Sequence, residues 1–159
     1  MTTLDLFKFT PFRLNRLAAE VSSELASEYA DRHGLDIPEW RVIATLGFHG
    51  GPSNRPCSAQ FIAHSTRTHK STISRAVTAL LERGLLERAE SETDRRAFQL
   101  RLSRKGLALY RRLIPKLLRK EEEILDCLSA RERMAFAAAL GKIEQRLGLA
   151  QQASGEKPY

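Results

Sequence analysis

The stretch "HKSTISRAVTALLERGLLERAESETDRRAFQLRLSRKG", residues 69–106, changes its hydrophobic period halfway along. In the first half Ile73, Val77, Leu80 and Leu81 recur at helical spacing, and Gly84 is placed to end the helix. The opposite side of that helix, at its N-terminal end, carries His69, Lys70, Ser71, Thr72, Ser74 and Arg75. Beyond Gly84 the period falls to two. "LLERAE" reads as one short strand, and in "AFQLRL" Phe98, Leu100 and Leu102 alternate with polar neighbours as a strand with one buried face should. The intervening "SETDRR" is turn-like, so a hairpin is expected with Asp94, Arg95 and Arg96 at its tip.

Working outward, Thr10 followed by Pro11 signals a helix start, and Leu14, Leu17, Ala18, Val21, Leu25 and Tyr29 then recur on one face up to a stop at Gly34. Pro38 opens a second helix, "PEWRVIATLGFHG", with Trp40, Ile43, Ala44 and Leu46 as its apolar face. "GGPSNRP" is a loop by its turn residues, and a short helix is expected from Ser58 to His64. On the other side Ser103 caps a long helix expected over 104–128, with Pro115 bending it or loosening a turn. Ser129 and Glu132 have capping-box spacing and start a last helix ending near Gly148.

Composition narrows the class. At 159 residues and 42% hydrophobic content the chain has room for one folded unit. With no 18-residue apolar run and no signal-peptide core, it reads as cytoplasmic. The net charge of +7 is concentrated: residues 67–112 hold twelve bases and five acids, an excess equal to that of the whole chain. Such confinement points to a polyanionic partner touching that third. Enzyme chemistry finds no foothold, for GxSxG, P-loop and GxGxxG are all missing. The four histidines and two cysteines lack metal-ligand spacing, so no metal or cofactor is expected. Cys57, near a helix start, is the one candidate for a reactive thiol.

The order of elements is mainly α with a small β-hairpin wing: a winged helix-turn-helix unit over 38–102 inside a single domain spanning 1–159. Helices at 10–33 and 104–148 flank it. In "IPEWRVIATL", in the stretch quoted first, and in its helical ends the chain resembles the MarR family of transcription regulators over about nine tenths of its length. Arg67 departs from that pattern, standing where the family usually has glycine.

The chemistry suits duplex DNA independently of the resemblance. A helix fits the major groove, where hydroxyls and a lysine or arginine reach phosphates and base edges. The hairpin can reach the adjacent minor groove, whose negative potential attracts an inserted arginine. Asp94 would hold that guanidinium in place, and the resemblance makes Arg96 the wing-tip arginine, with Arg95 facing phosphate. The flanking helices carry apolar stripes that nothing else in the chain covers, so a homodimer on a pseudo-palindromic operator is expected.

The resemblance further implies a repressor of aromatic catabolism or efflux, released by a small aromatic carboxylate or its thioester bound between the dimer helices and the DNA-binding unit. Trp40 is the candidate for stacking the ring, Arg13 or Arg16 for pairing the carboxylate, and Ser22 for a hydrogen bond. An activator or architectural protein without an effector is the alternative, as is a cysteine-based redox sensor. Oxidation-sensing members of the family place a cysteine in the first helix, and none precedes Cys57 here.

Overall fold

A computed structural model describes residues 3–90 and 98–149. In chain order the elements are α1 (Thr10–Ala26), α2 (Ala30–His33), α3 (Ile37–Gly50), a 3-10 turn (Gly51–Ser53), α4 (Ala59–Ser65), α5 (Lys70–Glu82), β1 (Leu86–Ala89), β2 (Gln99–Leu102), α6 (Arg104–Leu125) and α7 (Ala130–Arg146). The core lies where α3, α4, α5, the hairpin and the middle of α6 meet, with Ile43, Leu46, Ile62, Ile73, Leu80, Leu102 and Leu113 among its buried side chains. The stripe of α5 behaves as its spacing requires: Ile73, Ala76, Val77 and Leu80 are buried.

Helix starts follow from local side-chain bonds. Asp36 and Glu39 form a capping box at α3, with Asp36 Oδ1 accepting from the Glu39 N–H at 2.7 Å and Glu39 Oε2 accepting from the Asp36 N–H at 2.9 Å. Sequence reasoning passed over this box and began the helix at Pro38, which occupies the second helical position. Ser58, Ser103 and Ser129 cap α4, α6 and α7, the last with Glu132 in the expected box. The two hydrogen bonds that the Glu132 carboxylate accepts from Ser129 hold its pKa below the ordinary value.

The first helix is not continuous to Gly34. It ends at Ala26, where Ser27 Oγ donates to the Glu24 carbonyl at 2.6 Å, and a turn then swings Tyr29 into the core before α2. Its cap is Phe9, without a side-chain bond, and Thr10 is already helical. Helix α6 runs unbroken through Pro115 and stops at Leu125. Neither α1 nor α7 has a buried residue.

The hairpin pairs antiparallel, Leu86 opposite Leu102 and Ala89 opposite Gln99. Leu100 and Leu102 face the core as expected, but Phe98 does not. It lies beyond the last paired residue and is 68% exposed, its ring covered by the Arg88 guanidinium at 4.7 Å. Cys57 adds a one-residue bridge to this sheet that the loop reading missed. Its N–H donates to the Leu100 carbonyl at 2.9 Å and its carbonyl accepts from the Leu100 N–H at 2.8 Å.

The exit from the hairpin is tied to the end of α5. Ser103 donates from its N–H to the Leu85 carbonyl at 3.0 Å and from Oγ to the Gly84 carbonyl at 2.7 Å. Gly106 lies so close that a Cβ there would collide with the Leu85 carbonyl oxygen, a backbone atom that cannot yield without moving the chain between α5 and β1. Gly141, in α7, would meet nothing within 4 Å. Gly106→Ala should therefore lower stability by roughly 2 kcal/mol or more, whereas Gly141→Ala should raise it by about 0.5 kcal/mol through the helix preference for alanine. Urea midpoints of the two variants, compared with the parent, check both signs.

Candidate nucleic-acid interface

Helices α4 and α5 form the two-helix unit, joined by a turn whose Thr68 N–H donates to the Ala63 carbonyl at 3.1 Å. The six residues expected to read DNA from α5 are brought together. His69 is the N-cap, its Nδ1 accepting from the Ser71 N–H at 3.3 Å and lying 2.8 Å from Ser71 Oγ. Lys70, Ser71, Ser74 and Arg75 are exposed and Thr72 is half-buried. Ser71, Ser74, Arg75 and Thr78 fall on one exposed stripe opposite the buried Ile73, Val77 and Leu80. Thr78 belongs to this face, although sequence reasoning did not single it out, because a neutral residue midway along the helix gives no charge signal. The helix N-terminus adds its own partial positive charge to the cations beside it.

Arg67 is a second exposed residue beside this face that the expected set leaves out. Its φ is +51°, the left-handed conformation that non-glycine residues enter at a cost of about 1–2 kcal/mol, and its side chain is exposed next to the start of α5. The chain thus holds an exposed cation in a turn that glycine would fill without strain. Its departure from the family pattern was the available signal.

The basic third divides into internal and external cations. Arg101 Nε pairs with Glu87 Oε1 at 2.6 Å across the hairpin, and Arg88 covers Phe98. Arg83, which follows α5, donates to the Gly34 carbonyl at 3.0 Å and to the His33 carbonyl, and pairs with Glu39 at 3.4 Å. Arg67, Lys70 and Arg75 have no ion-pair partner among the described residues. Asp94, Arg95 and Arg96 lie outside the described residues.

The four residues expected to hold an effector do not converge within one chain. Arg13 and Arg16 line a cleft of about 430 Å³ with Phe7, Leu14 and Leu17, and the Arg16 guanidinium stands over Phe7 at 5.4 Å and Phe12 at 5.7 Å. Trp40 is elsewhere, stacked between Tyr29 at 5.5 Å and Tyr110 at 6.4 Å. The ring expected to receive a ligand therefore already has two stacked aromatic neighbours. Ser22 is half-buried on α1 and does not line the arginine cleft.

Cys57 lacks the chemistry of a peroxide sensor. It is 5% exposed, and burial pushes its thiol up to about 12, so the reactive thiolate is suppressed at neutral pH. Cys127 is exposed. Among the described residues no cluster of three or more His, Cys, Asp or Glu is arranged to hold a metal, and no helix is long and apolar enough to cross a membrane.

Known proteins share this arrangement. The family model described as MarR family matches residues 33–97, from the end of α2 to the hairpin. The HTH-type transcriptional regulator PecS of Dickeya dadantii (strain 3937) is 28% identical over 134 residues, covering 84% of this chain and 79% of that protein. A MarR family transcriptional regulator from Silicibacter pomeroyi DSS superimposes with a TM-score of 0.73 at 26% identity, over 88% of this chain and 90% of that one. Bordetella bronchiseptica BpsR, whose structure bears on regulation of DNA binding by 6-hydroxynicotinic acid, shares the fold with a TM-score of 0.75 at 20% identity, over 90% and 98% of the two chains. With its winged helix-turn-helix unit, its likeness to such regulators over more than four fifths of its length and the MarR family model matching residues 33–97, the chain is similar to the MarR family of transcription regulators.

Proposed function

We propose that this protein is a repressor that binds a pseudo-palindromic operator as a homodimer and is released by a small aromatic carboxylate or its thioester. The observation that carries the dimer is the uncovered apolar surface outside the winged unit. Leu14 and Leu17 on α1, Met134, Phe136 and Ile143 on α7, and Leu4, Leu6, Phe7 and Phe9 ahead of α1 are all exposed. Exposed apolar side chains on the terminal helices suit an assembly face, and two copies joined there would present two α5 helices to major grooves roughly 34 Å apart. A dimer lying along promoter DNA acts most directly by excluding the polymerase, which favours repression over activation.

In this reading Ser71, Thr72, Ser74 and Arg75 meet base edges and phosphates, His69 and Lys70 meet the backbone, and Arg96 enters the minor groove with Asp94 holding it and Arg95 on phosphate. Support for an aromatic acid comes from BpsR and its 6-hydroxynicotinic acid. Arg13 and Arg16, already grouped beside Phe7, are the carboxylate partners, and a second copy would complete a site that one chain leaves open. Trp40 and Ser22 would enter it from the α1–α3 side, Trp40 only if its stack with Tyr29 or Tyr110 loosens. Such a ligand acts only through its differential affinity for the DNA-bound and released spacings of α5.

Gel-shift titrations with the protein's own upstream DNA test the interface. Ser74→Ala and Arg75→Ala should each weaken binding by about 1–3 kcal/mol, and Arg96→Ala should also lower the salt slope by about one. Wild-type affinity in all three would refute the assignment. Arg67→Gly should separate two effects in one variant. It should raise the urea midpoint, because the left-handed turn is relieved, while reducing affinity and the salt slope, because a phosphate contact is lost.

Thiol chemistry is the next check. In the folded protein at pH 8 Cys127 should react with a thiol reagent and Cys57 should not, and peroxide should leave operator binding unchanged; release that vanishes in Cys57→Ser would establish a redox switch. For the effector, a thermal-shift screen of aromatic acids and their coenzyme A thioesters should yield a compound that stabilises the free protein and weakens the complex. A screen in which no compound does both removes the effector from this account and leaves the DNA-binding part standing.

A further inference from the structure

A second cleft, of about 410 Å³, opens between α2, the end of α5 and the first turns of α6, away from Arg13, Arg16 and Trp40. Its lining is unusually cationic for so small a space: Arg32 and His33 come from α2, Arg83 from the end of α5, and Lys105 and Arg112 from α6. Leu85, Ala108 and Leu109 supply its limited apolar wall. The charges lie close enough to act on one another. The His33 imidazole is held below its ordinary pKa first by burial and then by Lys116, Arg112, Arg32 and Arg83. Its Nε2 is enclosed without a hydrogen-bond partner among the described residues.

Little on the protein compensates this charge. Glu39 pairs with Arg83, but Arg32, Lys105 and Arg112 have no carboxylate at ion-pair distance among the described residues. Nor does the cleft continue the DNA-reading surface. It sits at the C-terminal end of α5, where the helical rise puts Arg83 roughly 20 Å from Lys70 and about 12 Å from Arg75 along the axis. Like charges grouped around one cleft repel one another, and an anion seated among them relieves that repulsion. A monocarboxylate would leave most of these cations unmatched. Guanidinium groups from three elements suit the oxygens of phosphate, and the volume admits a small molecule.

We propose that this cleft is a binding site for a small, multiply charged anion of the phosphate class, held by Arg32, Arg83, Lys105 and Arg112. Arg83 joins the site to the DNA-reading helix. An anion drawing its guanidinium away from Glu39 and the carbonyls of His33 and Gly34 would alter how the end of α5 is held against α2 and α3. That consequence rests on the DNA-binding reading. The binding itself does not.

Titration calorimetry with inorganic pyrophosphate at low ionic strength, in the absence of DNA, tests the site on the full-length protein. One saturable site per chain is expected. Arg32 and Arg112 are exposed and make no hydrogen bond to described residues, so the double variant Arg32→Ala/Arg112→Ala should keep the parent's urea midpoint while weakening pyrophosphate at least tenfold. Arg111→Ala, an exposed cation on the same helix outside the cleft, should change the affinity less than twofold. Sodium benzoate at equal concentration should fail to displace pyrophosphate. The proposal is overturned by unsaturable heats in the wild type, by equal losses in the double variant and Arg111→Ala, or by displacement with benzoate at comparable affinity.

Discussion

The Arg83 guanidinium is the point on which the architecture turns. A helix leaves its last carbonyls without intrahelical partners, and α2, four residues long, cannot satisfy its own. Arg83 donates to two of those carbonyls, His33 and Gly34, and to Glu39, whose carboxylate is at the same time half of the capping box that starts α3. One side chain leaving the end of the DNA-reading helix therefore fixes the end of one helix and the start of another. Among the described residues Glu39 is the single charged residue in the buried set, and a buried carboxylate is tolerated only when its oxygens are matched in this way. Gly34, at φ +56°, gives the left-handed step between the two helices that lets both carbonyls face the same guanidinium.

From that clamp the recognition helix acquires a defined direction, and the hairpin exit completes it. Lys105 Nζ donates to the Arg83 carbonyl at 2.9 Å and Ser103 bonds the carbonyls of Gly84 and Leu85, so α6 begins where α5 ends. The basic third of the chain is accordingly not one uniform surface. Arg83, Lys105, Arg88 and Arg101 each engage a neighbouring group of the chain, whereas Arg67, Lys70 and Arg75 have no ion-pair partner among the described residues. A net charge reports both groups alike and separates neither.

Much of this was legible. The stripe of α5, its glycine stop, the strand alternation at Leu100 and Leu102 and the Ser129–Glu132 box are local patterns that spacing alone reveals, and they are the parts that hold. The break after Ala26 was hidden because Leu25 and Tyr29 keep helical spacing across it, so periodicity cannot tell a continuous helix from one that turns to bury a tyrosine. The Cys57 bridge is a single residue and offers no alternation to read. Phe98 continued the alternation of β2 but lies past the last paired residue. At the site, the polar end of α5 was visible through its amphipathy, while the positions of Arg13, Arg16 and Trp40 relative to one another depended on tertiary packing that no spacing encodes. The cationic cleft was invisible for the same reason: its residues come from three elements separated by up to 80 positions.

In the proposed dimer α1 and α7, neither of which has a fully buried residue within one chain, are completed by a second copy, and the pair reads DNA as a unit. Sedimentation equilibrium at micromolar concentration, for the protein alone and on a duplex carrying one operator, tests this most directly. A homodimer gives twice the 18.0 kDa chain mass in free solution and two chains per duplex. A free species of 18.0 kDa that still binds the operator tightly as a single chain would contradict it.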